Sequence, residues 1–282
     1  MNKNTRRPKV VVSLTTLPSR IKAVTKTLKS ILTQSLVPNK IYVNLPKKTS
    51  RGEEYIIPKS LLNLVKKHKI IEILRCRTDY GPGTKIYPVL AKERGKNTRI
   101  ITIDDDSKYP KKSIETLVKY SLERPNEAIA YSAWNINPQT LDIEDYSSFS
   151  TKLTWGQECA PAYMDIIEGW AAALYVRKFF MKGNKDQRVQ FIDMMRKGPK
   201  ECFFVDDVWI SAWLAKKKIK IFILGEKLQP DHTTTVLCNT LHGNKNVIAR
   251  NKKCVKKYIE YFKKSGLKTY SCKQKIRKKL NE

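Results

Sequence analysis

The 282-residue chain contains no apolar run that approaches the roughly 18 residues of a membrane-spanning helix. Its start, MNKNTRRP, leads directly into a strand-like run and contains no apolar segment typical of a signal peptide. Its six cysteines form no CxxC pair and no Cys/His spacing typical of zinc sites. These absences predict a soluble, cytoplasmic protein whose thiols are reduced and mostly structural.

Acidic side chains are scarce. The chain has 26 Asp and Glu and 56 Lys and Arg, so its net charge is +30. Such an excess favours an anionic partner. The lysines are spread along the chain and no recognised nucleic-acid module occurs, so nucleic acid is not the partner that we expect. Residues 251–282 hold twelve Lys or Arg and two Glu, interleaved with apolar residues. They predict a basic, helical, amphipathic tail that contacts an anionic membrane, a polyanion or only solvent.

Strand-like and helix-like segments alternate along the chain, which predicts an α/β fold with a mostly parallel central sheet and helices on both faces. We predict one domain over residues 1–250, followed by the tail at 251–282. Helical periodicity and a possible N-cap at Ser19 predict that the first helix begins there. The predicted strands are residues 9–16, 40–45, 70–76, 100–103, 128–134 and 219–224, and later helices include residues 58–68, 114–122 and 206–217.

Three adjacent carboxylates follow the predicted strand at residues 100–103, whose sequence is IITI. They are Asp104, Asp105 and Asp106, and the carboxyl ends of strands in α/β sheets are where ligands bind. Two carboxylates beside a bound phosphate suit Mg²⁺ or Mn²⁺. We therefore predict a metal–diphosphate site at Asp104 and Asp106, with Asp105 pointing elsewhere. The alternative is an acidic turn that caps the helix after Pro110.

Six motifs, taken in order and spacing, resemble those of glycosyltransferases with the GT-A fold, nearest to the family-2-like enzymes. The motifs are SLTT, DYGPGTK, DDD, EGWAAALYVR, FFVDDVWISAWL and LHGN, and the likeness covers residues 9–250. The Lys- and Asn-rich composition also resembles glycosyltransferases of large DNA viruses and of some bacteria, and a viral enzyme would act in the host cytoplasm. The resemblance implies a Rossmann-like GT-A domain that transfers a sugar, with inversion, from a nucleotide-sugar to a hydroxyl of a glycan, protein or lipid-linked acceptor.

The resemblance also implies roles for individual residues. Asp104 and Asp106 would be the DxD ligands of Mn²⁺ or Mg²⁺, with His242 as a third contact and His232 as its competitor. Asp105 would reach the ribose. The other residues of the donor pocket would be Thr15, Thr16, Arg20, Asp79 and Lys85, and the acceptor would contact Gly169 and Trp170.

Asp206 and Asp207 begin a predicted helix, so capping alone would explain two acidic residues there. The pair also resembles the acidic motif of inverting GT-A enzymes, whose second carboxylate deprotonates the acceptor. That resemblance makes Asp207 the catalytic base, beside Asp206. A helix N-terminus lowers the pKa of a carboxyl group, so we expect Asp207 to be ionised.

Two other functions fit the same residues. Clustered aspartates and a high positive charge would equally serve a two-metal nuclease or a basic polynucleotide-binding protein. A GT-A-like domain could also bind glycans without turnover.

Overall fold

The structure is a computed structural model that describes residues 7–136, 162–182, 185–224, 231–232 and 245–264. Within these ranges, no helix is both long and apolar enough to cross a membrane. The strands, in chain order, are β1 (Val10–Thr15), β2 (Lys40–Pro46), β3 (Ile71–Cys76), β4 (Arg99–Thr102), β5 (Ser107–Lys108), β6 (Ala128–Ala130), β7 (Ala133–Trp134), β8 (Ala162–Met164), β9 (Ile166–Ile167), β10 (Ala173–Val176), β11 (Met181–Lys182), β12 (Lys185–Asp186), β13 (Ile221–Ile223) and β14 (Asp231–His232).

Eight of these strands form one sheet in the order β3-β2-β1-β4-β10-β6-β13-β8. The pairings within β3-β2-β1-β4 and between β6 and β13 are parallel, whereas β10 and β8 run antiparallel to their neighbours. The valine- and isoleucine-rich sequences of β1 and β4 fit strands covered on both faces, and their aliphatic side chains are buried. The prediction of an α/β fold with a mostly parallel sheet is confirmed.

Seven α-helices flank the sheet in the described part of the chain. They are α1 (Val24–Leu32), α2 (Lys59–Lys67), α3 (Tyr87–Lys92), α4 (Ser113–Glu123), α5 (Arg188–Arg196), α6 (Asp206–Lys216) and α7 (Lys245–Lys264). Shorter 3₁₀ segments occupy Gly83–Lys85, Gly169–Ala171, Arg177–Phe180 and Lys200–Phe204.

Two local predictions were wrong. The first helix begins at Val24 instead of Ser19, because residues 18–23 form consecutive turns closed by bonds such as Ala23 N–H to the Arg20 carbonyl at 2.8 Å. These turns carry Arg20 to the acidic segment. The predicted strand at 128–134 is split into β6 and β7, because β7 leaves the main sheet to pair with β9.

The basic C-terminal segment begins as part of the domain. Helix α7 packs on α6, and its Cys254, Val255, Tyr258 and Phe262 side chains are buried. The predicted boundary between residues 250 and 251 falls inside this helix, and residues 265–282 lie outside the described part. The apolar side of α7 therefore faces the domain and its lysines face outward.

A disulfide joins Cys202, which precedes α6, to Cys254 of α7. The expectation of reduced thiols was wrong for this pair. Their 52-residue separation carries no pairing signal in the sequence, and the packing of α7 on the segment before α6 is what brings them together. Cys76 is a free thiol, and burial raises its pKa to about 11.

We expect Cys254→Ser to lower the free energy of unfolding by about 2–4 kcal/mol, because the crosslink restricts the unfolded chain. Urea denaturation with and without a dithiol measures this, and reductant should destabilise the wild-type protein but not the variant. Cys76→Ser is the matched control and should keep the reductant effect. A wild-type protein that is indifferent to reductant would contradict the crosslink.

Candidate active site

The candidate site lies at the carboxyl ends of β1 and β4, which are parallel neighbours. Strand β1 is followed by Thr16, and the chain after β4 continues into the three aspartates. The DYGPGTK turn, residues 79–85, lies against this edge, because Ser13 of β1 donates a hydrogen bond from Oγ to the Lys85 carbonyl. Asn44 of β2 supports the same serine with a 2.8 Å bond from Nδ2.

Lys85 connects the two acidic clusters of the sequence. Its Nζ lies 2.8 Å from Asp104 Oδ1 and 3.1 Å from Asp206 Oδ2, and its side chain is 5% exposed. Burial opposes the positive charge, yet the carboxylates of Asp104 and Asp206 raise the pKa of Lys85 well above its ordinary value. One buried ammonium therefore serves both the acidic segment after β4 and the start of α6.

Asp207 faces the segment Gly169–Ala171, and its Oδ1 accepts a 3.0 Å hydrogen bond from the Gly169 N–H. Burial raises the pKa of Asp207 well above its ordinary value, and the neighbouring Asp206 adds to the rise while Lys85 opposes it. Burial also raises the pKa of Asp206. The expectation that the helix N-terminus lowers the pKa of Asp207 was wrong, because burial and a second carboxylate outweigh the helix dipole.

Glycine at two positions allows neighbouring segments of the site to pack closely together. A Cβ atom on Gly169 would lie 2.9 Å from Asp207 Oδ1 and 3.1 Å from Lys85 Nζ, so glycine lets this segment approach both charged groups. A Cβ atom on Gly83 would lie 2.4 Å from the Trp209 ring of α6. The turn that carries Lys85 can therefore pack directly on the helix that carries Asp206 and Asp207.

Asp105 differs from the aspartates on either side of it. It is 2% exposed, accepts a hydrogen bond from the Thr16 hydroxyl, and its Oδ1 lies 2.7 Å from Arg20 Nη2. Burial raises its pKa to about 6, against the effect of Arg20. Arg20 also lies 3.1 Å from Asp106 Oδ2, so Asp105 and Asp106 share one guanidinium and the predicted separation of Asp105 from Asp106 is not seen. A ribose contact by Asp105 would require Thr16 and Arg20 to move aside.

The other predicted donor residues reach the same edge in different roles. Thr15 donates its hydroxyl hydrogen bond to the Asn44 carbonyl at 2.9 Å. Asp79 holds the turn itself, because its carboxylate accepts bonds from the Gly81 N–H at 2.8 Å and the Ser50 N–H at 2.7 Å. The Pro-Gly turn therefore depends on Asp79.

Asp104 and Asp106 are the two carboxylates that the sequence predicts as ligands of a divalent ion. Their side chains are 34% and 25% exposed and each is close to a cation, Lys85 at 2.8 Å and Arg20 at 3.1 Å. No group of three or more His, Cys, Asp or Glu is placed to hold a metal in the ranges that the structure describes. Mg²⁺ and Mn²⁺ commonly take one or two protein carboxylates and complete their shell with phosphate oxygens. The donor set fits that arrangement.

The predicted third contact of the metal is His242, with His232 as its competitor. His242 lies outside the described residues. The backbone of His232 pairs with Ser107, the residue that follows the three aspartates.

Tyr109 is a site residue that the sequence analysis did not single out. Its buried hydroxyl accepts a 3.0 Å hydrogen bond from the Asp104 N–H and donates a 2.8 Å bond to the Trp170 carbonyl. It connects the acidic segment to the predicted acceptor residues. Its position within the DDDSKYP segment was the available signal.

No family model and no curated protein matches this chain. The crystal structure of S. aureus TarS 1-349 is similar with a TM-score of 0.47 and 14% identity, over 79% of this chain and 59% of that one. A second crystal structure of S. aureus TarS gives a TM-score of 0.46 and 12% identity, over 79% and 36%. The chain thus spans less than two thirds of either structure, and likenesses of this size assign no activity.

We expect Lys85→Met to lower the free energy of unfolding by about 3–5 kcal/mol, because it leaves buried carboxylates without their cation. The loss should be larger at about pH 8 than at about pH 5. Removing Lys85 raises the already raised pKa values of Asp206 and Asp207 further, and stability tied to a raised acidic pKa is present at low pH and lost as the pH rises.

Urea denaturation at both pH values measures this. Lys92→Met, which removes an exposed lysine paired with Glu72 at 2.8 Å, is the matched control and should cost about 1 kcal/mol or less at either pH. Equal losses for the two variants would contradict a central role for Lys85.

Proposed function

We propose that the chain is a glycosyltransferase of the GT-A type, dependent on Mn²⁺ or Mg²⁺, that moves a sugar with inversion from a nucleotide-sugar to a hydroxyl of a glycan, protein or lipid-linked acceptor. The observation that carries the proposal is the meeting of two acidic clusters on Lys85, at 2.8 Å from Asp104 and 3.1 Å from Asp206. The proposed donor-binding carboxylate Asp104 and Asp206, the neighbour of the proposed base Asp207, thus contact one side chain.

The donor half of the site consists of the carboxylates of Asp104 and Asp106 with the cations Lys85 and Arg20. When bound, a divalent ion on these carboxylates would neutralise the charge that develops on the leaving diphosphate. Lys85 and Arg20 are within reach of the same region, because each already contacts one of the two carboxylates. They would add positive charge beside the diphosphate.

The acceptor half of the site consists of Asp207 and the segment Gly169–Ala171. The Gly169 N–H holds Asp207 Oδ1 at 3.0 Å, which leaves the second carboxylate oxygen to accept the acceptor proton. The raised pKa makes Asp207 a stronger base once it is ionised. The indole of Trp170, the half-buried middle residue of this segment, would provide an apolar platform for a sugar ring.

The two rival functions lack a supporting observation of this kind. A two-metal nuclease needs two adjacent sets of ligands, and no group of three or more His, Cys, Asp or Glu is placed to hold a metal among the described residues. A glycan-binding domain without turnover would have no use for Asp207, so the variants below separate it from an enzyme.

We expect Asp104→Asn and Asp106→Asn each to abolish Mn²⁺-dependent binding of the nucleoside diphosphate, because an amide lacks the negative charge that a carboxylate brings to a divalent cation. Calorimetry with UDP, GDP, ADP and CDP in turn measures this. Asp186→Asn is the matched control at a partly exposed ion pair outside the site and should bind normally. Undiminished metal-dependent affinity in both site variants would show that the metal pair is assigned wrongly.

We expect Asp207→Asn to lower kcat by about 10²–10⁴-fold, because an amide keeps the size of the side chain but cannot take up the acceptor proton. The affinities for donor and Mn²⁺ should survive. Because a single displacement leaves no covalent intermediate, the product anomer should be inverted relative to the donor. Steady-state kinetics and NMR of the product measure both. A normal kcat, or a retained configuration, would return Asp207 to a structural role in α6.

The outward face of α7 is proposed to contact an anionic membrane surface. Its apolar side is buried on α6, so binding would be electrostatic and without insertion of the helix. We expect Lys256→Glu with Lys257→Glu to weaken attachment to phosphatidylserine vesicles in sedimentation at low salt. The control variant, Lys66→Glu with Lys67→Glu on α2, has the same net charge as the α7 variant and should bind the vesicles like the wild type. Equal weakening in the two variants would mean that only the total charge of the protein matters.

A further inference from the structure

The hydroxyl of Tyr109 joins the two halves of the proposed site. It accepts a hydrogen bond from the Asp104 N–H at 3.0 Å and donates one to the Trp170 carbonyl at 2.8 Å. A phenol has one proton to donate, and here it is directed to the acceptor half while a lone pair serves the donor half. The two segments are thus connected through a single side-chain atom.

The main chain of Tyr109 is itself held in place by α1. Its N–H donates to Ser30 Oγ at 3.1 Å, and its carbonyl accepts a 3.2 Å bond from Gln34 Nε2. The side chain is 3% exposed, so the ring has little freedom to move. The hydroxyl is therefore a fixed point relative to which both segments are placed.

A closed circuit of contacts passes through this hydroxyl. Gly169 precedes Trp170 in the chain, and the Gly169 N–H donates a 3.0 Å hydrogen bond to Asp207 Oδ1. The adjacent Asp206 lies 3.1 Å from Lys85, and Lys85 lies 2.8 Å from Asp104. Asp104 returns to the hydroxyl of Tyr109 through its N–H. Each half of the site is thus tied to the other by two routes, one ionic through Lys85 and one neutral through Tyr109.

We infer that Tyr109 is a positioning residue that sets the distance between the donor-binding carboxylate Asp104 and the base Asp207, and that it transmits donor binding to the segment Gly169–Ala171. The inference rests on the proposed function. Tyr109 contacts main-chain atoms of the site on both sides, so its effect is on geometry and does not require contact with either substrate. Displacements of about an ångström at a reacting pair can reduce a rate by about 10²-fold.

The test compares Tyr109→Phe with Tyr42→Phe. Both substitutions remove one buried hydroxyl, and Tyr42 donates its hydrogen bond to Glu93 Oε1 at 2.7 Å. Glu93 in turn pairs with Lys9, which precedes β1, so this control lies toward the opposite edge of the sheet. The two variants should lose comparable stability in urea denaturation.

We expect Tyr109→Phe to lower kcat by about 10²-fold with the donor KM changed by less than about twofold, and Tyr42→Phe to keep both values. A purely structural tyrosine would make the two variants alike, and that result would overturn the inference. Wild-type protein that transfers no sugar would instead refute the proposed function, so the two failures are distinguishable.

A second measurement needs no turnover. The protein is labelled with fluorotryptophan, and the fluorine NMR signal of Trp170 is assigned by its loss in Trp170→Phe. Addition of Mg²⁺ and the nucleoside diphosphate that binds best should shift that signal. The shift should be lost in Tyr109→Phe and kept in Tyr42→Phe. A shift that persists in Tyr109→Phe would show that the hydroxyl does not transmit binding. If Tyr109→Phe does not fold, Ser30→Ala replaces it, because this substitution loosens the same segment from α1. We expect Ser30→Ala to reduce the shift, and an unchanged shift would overturn the inference.

Discussion

The buried ammonium of Lys85 is the interaction on which the geometry of the site depends. A buried cation is tolerated only with well-placed carboxylates, and Lys85 has Asp104 at 2.8 Å and Asp206 at 3.1 Å. Asp104 follows β4 and Asp206 begins α6, about a hundred residues later in the sequence. Because neither carboxylate can move without leaving charge uncompensated, the sheet edge and the helix are fixed relative to each other.

Close packing of main chain supports that charge cluster. Gly83 lets the turn that carries Lys85 lie directly on Trp209, and Gly169 lets the neighbouring segment reach both Asp207 and Lys85. The buried hydroxyl of Tyr109 adds an uncharged link on the other side. Charge, packing and hydrogen bonding therefore specify the same arrangement, in which the partly exposed carboxylates of Asp104 and Asp106 and the carboxyl group of Asp207, whose pKa is raised, lie at one edge of the sheet.

Much of the fold could be predicted from the sequence, because the sequence patterns that indicate strands and helices are local. Runs such as VVVSLT and RIIT specify buried strands, and their alternation with amphipathic helices specifies the α/β class. The pairing of Cys202 with Cys254, the role of Tyr109 and the raised pKa of Asp207 could not be predicted. Each depends on which distant segments pack together, and the pKa depends on burial beside Asp206, which a helix-capping argument does not include.

The most direct test of the account is whether the protein cleaves and transfers a sugar. Wild-type protein with Mn²⁺ would be incubated with individual nucleotide-sugars, with and without a panel of glycan acceptors. NMR would measure the release of the nucleoside diphosphate. We expect Mn²⁺-dependent release from at least one nucleotide-sugar, and faster release when the right acceptor is present. No release from any donor, together with salt-sensitive binding or cleavage of a nucleic acid duplex, would contradict it.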